Sequence, residues 1–261
     1  MTARLPIEPG WPPAPPREGG AGSGVEGVGE PGAAGALRSE LAGVMRGLSA
    51  IFWGLPMALL AFARHFLMLW PTVYDLLFPV AAAALLTYGV TRLGGLHRQE
   101  RIWQRALLLT QIMAVFVLGL APFLFFWSRM PHIDFFSRAV AILLALSFGF
   151  VVTLTRALLR LSAMLPDETA RADARLFHGL STYVVCVLLG VAVTLYVRLS
   201  PIPLAEFLTL PRQPFGFGRQ AILLLLTLVP VAMAMAVAWK LKEVVMAMLL
   251  GAGRPTRLAG G

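Results

Sequence analysis

The chain has 261 residues, of which 58% are hydrophobic and only 13% are charged. So few charged residues cannot cover the surface of a soluble domain, and the lack of a short repeat excludes a fibrous protein. The net charge of +9 arises from short basic segments between apolar runs. It predicts contacts with anionic lipid headgroups at the cytoplasmic face of a membrane, and no nucleic-acid partner.

The first 35 residues are rich in proline and glycine and include the run Trp11-Pro12-Pro13-Ala14-Pro15-Pro16-Arg17. Such a segment buries too little apolar surface to offset the entropy lost on ordering, so residues 1–35 are predicted to be a disordered tail. A polyproline ligand for an aromatic groove is the alternative interpretation. Residues 36–250 are predicted to form the transmembrane domain, and residues 251–261 a short flexible C-terminal tail.

Six apolar windows without Asp, Glu, Lys or Arg follow the tail, at residues 47–63, 76–91, 106–128, 139–155, 176–197 and 220–239. Crossing a hydrocarbon core takes roughly 20 helical residues, and fewer when flanking side chains reach back to the interface. The predicted fold is therefore an all-α, multi-pass bundle of about six transmembrane helices.

The distribution of the 22 lysine and arginine residues predicts the orientation. Sixteen of them precede the first window, follow the sixth, or lie in the second-to-third and fourth-to-fifth connections; the other six lie in the remaining connections. Positive charge accumulates on the cytoplasmic side, so both termini are predicted to be cytoplasmic. Arginine-rich and alanine-rich residue usage favours a bacterial inner membrane.

Two connections carry signals for helix ends. Gly94 and Gly95 are predicted to end the second helix; residues 96–105 are predicted to begin the third, with Trp103 at headgroup depth. Pro166, Asp167 and Glu168 are typical of the first turn of a helix, because an acid is stabilised at the positive end of the helix dipole.

Each of the three predicted outer connections combines an arginine with an acid that starts the next helix. The three couples are Arg64 with Asp75, Arg129 with Asp134, and Arg198 with Glu206. We interpret these outer-edge groups as helix caps and interface pairs. The alternative is that the three carboxylates converge for acid–base chemistry beside guanidinium groups that hold a lipid phosphate.

None of the six windows contains an Asp, Glu, Lys or Arg. This argues against a proton-coupled carrier, an ion pump or a voltage sensor, each of which needs charge at membrane depth. The four histidines and the single Cys186 have no metal-ligand spacing, so no metal, cofactor or catalytic residue is predicted.

Small residues recur every four positions on three of the predicted helices. The stripes are Thr182, Cys186, Gly190 and Thr194 on the fifth, Ala141, Ala145 and Gly149 on the fourth, and Ala50, Gly54 and Ala58 on the first. In lipid, small residues let helix backbones approach closely, so these stripes are predicted to be helix-packing surfaces.

The sequence favours a non-enzymatic membrane component or accessory subunit that packs with a membrane-protein partner or with copies of itself. One alternative is a transporter or permeation subunit for a neutral or lipid-like substrate. A second is a lipid-modifying intramembrane enzyme. A polar pocket at the membrane midplane would favour transport, an outer pocket lined by the three acids would favour catalysis, and a solid core would favour the component.

Overall fold

The computed structural model of the protein describes residues 31–66, 75–95, 101–165, 168–198 and 217–251, and these residues form six α-helices. We number the helices α1 (Pro31–Phe66), α2 (Leu77–Leu93), α3 (Arg101–Arg129), α4 (Asp134–Met164), α5 (Glu168–Arg198) and α6 (Phe217–Gly251). Most of the two predicted tails lies outside the described residues. The described part of the predicted N-terminal tail, residues 31–35, belongs to α1.

Each of the six predicted windows overlaps one helix, which confirms the prediction of an all-α fold, and most of the helices extend beyond their windows. Four segments are long and apolar enough to cross a membrane: Arg38–His65, Arg101–Arg129, Asp134–Met164 and Glu168–Thr194. Helix α2 is apolar but shorter, with 17 residues. The protein is a helical membrane bundle.

Helix ends follow the local sequence. The Gly94 N–H donates to the Thr91 carbonyl oxygen at 3.2 Å, so α2 ends at the predicted glycine pair. Leu165 is extended, with φ −92° and ψ 147°, because a residue that precedes a proline avoids the helical region. Asp134 and Glu168 begin α4 and α5, where the helix dipole favours acidic residues.

Each helix packs against its neighbours in the sequence, and α6 packs against α1, so the six helices close into a ring. Short connections between helices give antiparallel neighbours. One large apolar cluster draws buried side chains from all six helices, including Leu48, Leu93, Leu158 and Leu241. The interior of the described ring is therefore filled mainly by aliphatic side chains.

The backbones of α1 and α2 approach each other closely at two glycines. A Cβ atom added to Gly89 would lie 2.9 Å from the Gly47 carbonyl oxygen and 2.7 Å from Cγ1 of Ile51. A Cβ atom added to Gly47 would lie 2.8 Å from the Gly89 carbonyl oxygen. These two positions therefore accept no side chain unless the helices move apart.

Two tryptophans lie inside the bundle. Trp103, which the sequence predicts at headgroup depth, is 1% exposed and belongs to the main apolar cluster. Trp127 is fully buried in a second cluster with Leu124, Val140 and Leu143, where α3 turns into α4. Both large rings therefore fill the space between helices.

Candidate functional site

The first predicted outer-edge couple forms an ion pair. Arg64 Nη2, near the end of α1, lies 2.9 Å from Asp75 Oδ1 in the turn before α2, and these side chains are 25% and 11% exposed. The neighbouring His65 is buried and donates its Nδ1–H to the Ala61 carbonyl oxygen at 2.7 Å, because a carbonyl oxygen can only accept. Asp75 is therefore held against a cation and closes the end of the α1–α2 hairpin.

The second couple is not an ion pair in the described residues. The Arg129 guanidinium instead lies 5.3 Å from the centre of the Phe125 ring, and Asp134 is exposed at the first position of α4. Cation–π stacking and the helix dipole stabilise these two charges separately. Glu206 and the side chain of Arg198 lie outside the described residues, so the predicted convergence of three carboxylates stays a prediction.

The predicted stripe on α5 lies on the outer face of the ring. Thr182 is partly buried, whereas Cys186, Gly190 and Thr194 are exposed. A Cβ atom added to Gly190 would meet no atom within 4 Å. Within the described residues the stripe is exposed at these three positions, so its role in helix packing stays a prediction.

The stripe on α4 is only loosely covered. Ala145 is exposed, Ala141 packs against the smaller apolar cluster, and the nearest atom to a Cβ on Gly149 would be Met113 Sδ at 3.9 Å. The stripe on α1 is packed instead. A Cβ on Gly54 would lie 2.8 Å from Cδ2 of Leu86, so this stripe faces α2 inside the protein.

Two polar contacts between helices were not predicted from the sequence. Lys240 Nζ of α6 forms an ion pair with Asp173 Oδ2 of α5. Thr155 Oγ1 of α4 lies 3.1 Å from His178 Nδ1 of α5, at hydrogen-bonding distance. The sequence indicates these contacts only in one way: the two residues of each pair lie near the ends of predicted helices, and those ends are predicted to be on the same side of the membrane. Both contacts attach α5 to its neighbours.

A polar cleft of about 660 Å³ opens between the N-terminal part of α1, the end of α2 and α3. Its polar lining residues are Ser39, Glu40, Thr91, Arg92 and Gln111. Glycines 43, 94 and 95 complete the wall. The cleft lies at the end of the ring opposite the Arg64–Asp75 pair, because it adjoins the other end of the α1–α2 hairpin. The sequence did not predict it, since its charged residues are 52 positions apart.

The described residues contain no group of three or more His, Cys, Asp or Glu side chains that could hold a metal ion. Polar groups inside the described helices mostly bond to their own helix: Thr110 donates to Ala106 at 2.9 Å and Ser162 to Leu159 at 2.7 Å. These bonds satisfy the hydroxyls locally, as apolar surroundings require.

No protein-family model, curated protein or solved structure matches this chain. Its function is therefore inferred from its own residues.

Proposed function

We propose that this protein is a non-enzymatic component of a bacterial cytoplasmic membrane, which it crosses six times with both termini in the cytoplasm. It packs through the outer face of α5 against a membrane-protein partner or a second copy of itself. The observation that carries this proposal is the exposure of α5. Only 17% of the most apolar stretch of α5 is buried, against 33% in α3 and α4 and 44% in α1.

An apolar face exposed to lipid is ordinary for a membrane helix, so apolar character alone does not argue for a partner. Small residues are different, because they allow two backbones to approach and so to gain dispersion contacts and interhelical hydrogen bonds. On α5 the small residues Cys186, Gly190 and Thr194 stand on the exposed face. This arrangement supports a further helix packing there.

The lipid-modifying alternative has less support. Asp75 is engaged by Arg64, and Asp134 stands exposed at the first position of α4 and forms no ion pair among the described residues. The transport alternative would need polar groups facing a pathway, whereas the described interior is lined by leucine, valine and alanine. A packed apolar interior is the feature expected of a component.

The topology of the proposal predicts the location of two connections. Reporter fusions placed after Gly95 and after Asp173 should both report a cytoplasmic position, because basic residues concentrate in these connections. An enzyme active only in the periplasm and a fluorophore active only in the cytoplasm should be fused at each site. A periplasmic signal at either site would contradict the six-span topology.

The single native cysteine, Cys186, tests the packing face directly because it is exposed within the α5 stripe. In native membranes a lipid-soluble oxidant should yield a disulfide-linked dimer if two copies pack there, since a disulfide requires Cα atoms about 4.4–6.8 Å apart. The control is Cys186→Ser combined with Ile142→Cys, which is also exposed but lies on α4. Equal dimer yields for the two proteins would show that collisions, not packing, form the bond.

A partner that has no cysteine near the α5 stripe forms no disulfide with Cys186. It is detected instead by the mass of the complex on a native gel. Gly190→Leu should shift the complex to the mass of the single chain, whereas Gly119→Leu should not. Both glycines are exposed and have open space where a Cβ would be placed, but Gly190 lies on the α5 stripe and Gly119 lies on α3. The proposal is wrong if the wild-type protein is a single chain in native membranes, or if both variants retain the complex.

A further inference from the structure

The cleft between α1, α2 and α3 has a lining that neither helix packing nor the proposed function requires. Its charged lining residues are one acid, Glu40, and one base, Arg92. Both side chains are exposed, and among the described residues they do not form an ion pair with each other. The Arg92 guanidinium instead lies 5.1 Å from the centre of the Tyr88 ring. The cleft therefore presents a negative and a positive group that do not neutralise each other directly.

The uncharged lining residues also include both hydrogen-bond acceptors and hydrogen-bond donors. The Thr91 hydroxyl donates its proton to the Tyr88 carbonyl oxygen at 2.8 Å, so toward the cleft this oxygen can only accept a hydrogen bond. The Gln111 side chain has an NH₂ group that can donate. Glu40 and Thr91 thus offer acceptors for an ammonium group, and Arg92 and Gln111 offer donors for a phosphate.

An exposed apolar strip of α3 adjoins the cleft. Leu108 and Val115, three residues before and four residues after Gln111, are 56% and 57% exposed and lie on the Gln111 side of the helix. A ligand that places its polar group in the cleft can lay hydrocarbon along this strip. Polar groups at one end and an apolar strip at the other are what an amphiphile requires.

We propose that this cleft binds a phosphoethanolamine group, the zwitterionic headgroup of a membrane phospholipid. The phosphate pairs with the Arg92 guanidinium, the ammonium with the Glu40 carboxylate, and the acyl chains follow α3. An anionic headgroup such as phosphoglycerol is disfavoured because Glu40 repels it and no ammonium compensates. A quaternary choline headgroup has no N–H to donate to Glu40 or Thr91. The cleft volume of about 660 Å³ lies within the range of small-molecule sites, roughly 300–1,000 Å³.

Native mass spectrometry of the full-length protein, titrated with short-chain phosphatidylethanolamine, phosphatidylglycerol and phosphatidylcholine, tests the proposal. We expect phosphatidylethanolamine to bind about tenfold more tightly than either of the others, as one charge-assisted hydrogen bond would give. Glycerophosphoethanolamine, the same headgroup without acyl chains, is the fourth ligand. If glycerophosphoethanolamine binds at least tenfold more weakly than phosphatidylethanolamine, the ligand of the cleft is a lipid. If the two bind equally, the cleft recognises the same headgroup chemistry but its ligand is a soluble zwitterion.

Two variants separate the two halves of the site. Glu40→Gln should remove the preference for phosphatidylethanolamine over phosphatidylglycerol, and Arg92→Gln should weaken binding of both phospholipids about tenfold. Arg129→Gln and Glu168→Gln are the matched controls. Arg129 is exposed and stacked on a ring as Arg92 is, and Glu168 is an exposed acid at the start of α5. These variants should bind as the wild type does.

All four substituted side chains are exposed, so the variants keep the fold and their binding can be compared directly. Equal affinity of the wild-type protein for the three phospholipids would overturn the proposal. So would an equal loss of phosphatidylethanolamine in Arg92→Gln and Arg129→Gln, because it would show only general attraction of phosphate to surface arginines.

Discussion

Replacing Gly89 with leucine should destabilise this protein more than the same change at any exposed glycine. The new side chain would start 2.9 Å or less from the Gly47 backbone and from Ile51, so α1 and α2 would have to separate. Overpacking costs about 1 to 3 kcal/mol, and we expect the upper end because one neighbour is backbone and cannot rotate away. Thermal unfolding in one detergent should show a clearly lower midpoint for Gly89→Leu.

Gly190→Leu is the matched control for this experiment. It introduces the same side chain into another helix at a position with no atom within 4 Å, so the melting temperature of the separated single chain should stay close to that of the wild type. Gly89→Ala should fall between the two, since it adds only the Cβ. Equal midpoints for Gly89→Leu and Gly190→Leu would show that α1 and α2 do not cross at Gly47 and Gly89.

Asp75→Asn should lower the free energy of unfolding by about 2 to 3 kcal/mol, because it removes the negative charge that pairs with Arg64. Loss of one partner of a fully buried pair typically costs more, but the Arg64 side chain is 25% exposed and water recovers part of the loss. Denaturant unfolding in mixed micelles measures the change. The double variant Arg64→Gln with Asp75→Asn should recover part of the stability, which a double-mutant cycle reports as the coupling.

Asp134→Asn is the control for Asp75→Asn. This carboxylate also starts a helix at the same end of the bundle, but it is exposed and forms no ion pair among the described residues, so its loss should change stability by about 0.5 kcal/mol or less. Similar losses for Asp75→Asn and Asp134→Asn would contradict the ion pair. The result also bears on the enzymatic alternative, since loss of activity in an Asp75 variant must be corrected for loss of folded protein.

The number and order of the helices could be predicted because they depend on the chain alone. Hydrocarbon admits only segments whose backbone groups are bonded internally, so a long run without charge becomes a helix whatever its neighbours are. The end of α2 followed from Gly94 for an equally local reason. The distribution of arginines predicts the orientation in the same way, and the reporter fusions test it.

Which side of each helix meets another helix was decided only by the tertiary structure. The sequence placed small residues at equal spacing on α1 and α5, yet Gly54 is buried against Leu86 while Gly190 has open space beside it. Periodicity determines which residues share a face, but in this membrane protein both the lipid-facing and the buried faces are apolar, so hydrophobicity does not distinguish them.

The same reason explains the contacts that the sequence missed. Lys240 and Asp173 are 67 residues apart and meet only because α6 packs against α5. Glu40 and Arg92 share a cleft only because α1 and α2 cross at glycines 47 and 89, which brings the start of one helix beside the end of the other. The sequence by itself determined the helices and the charges at their ends. The packing of backbone against backbone determined which of those charges became neighbours, because that depends on helix rotation and crossing, which local composition does not encode.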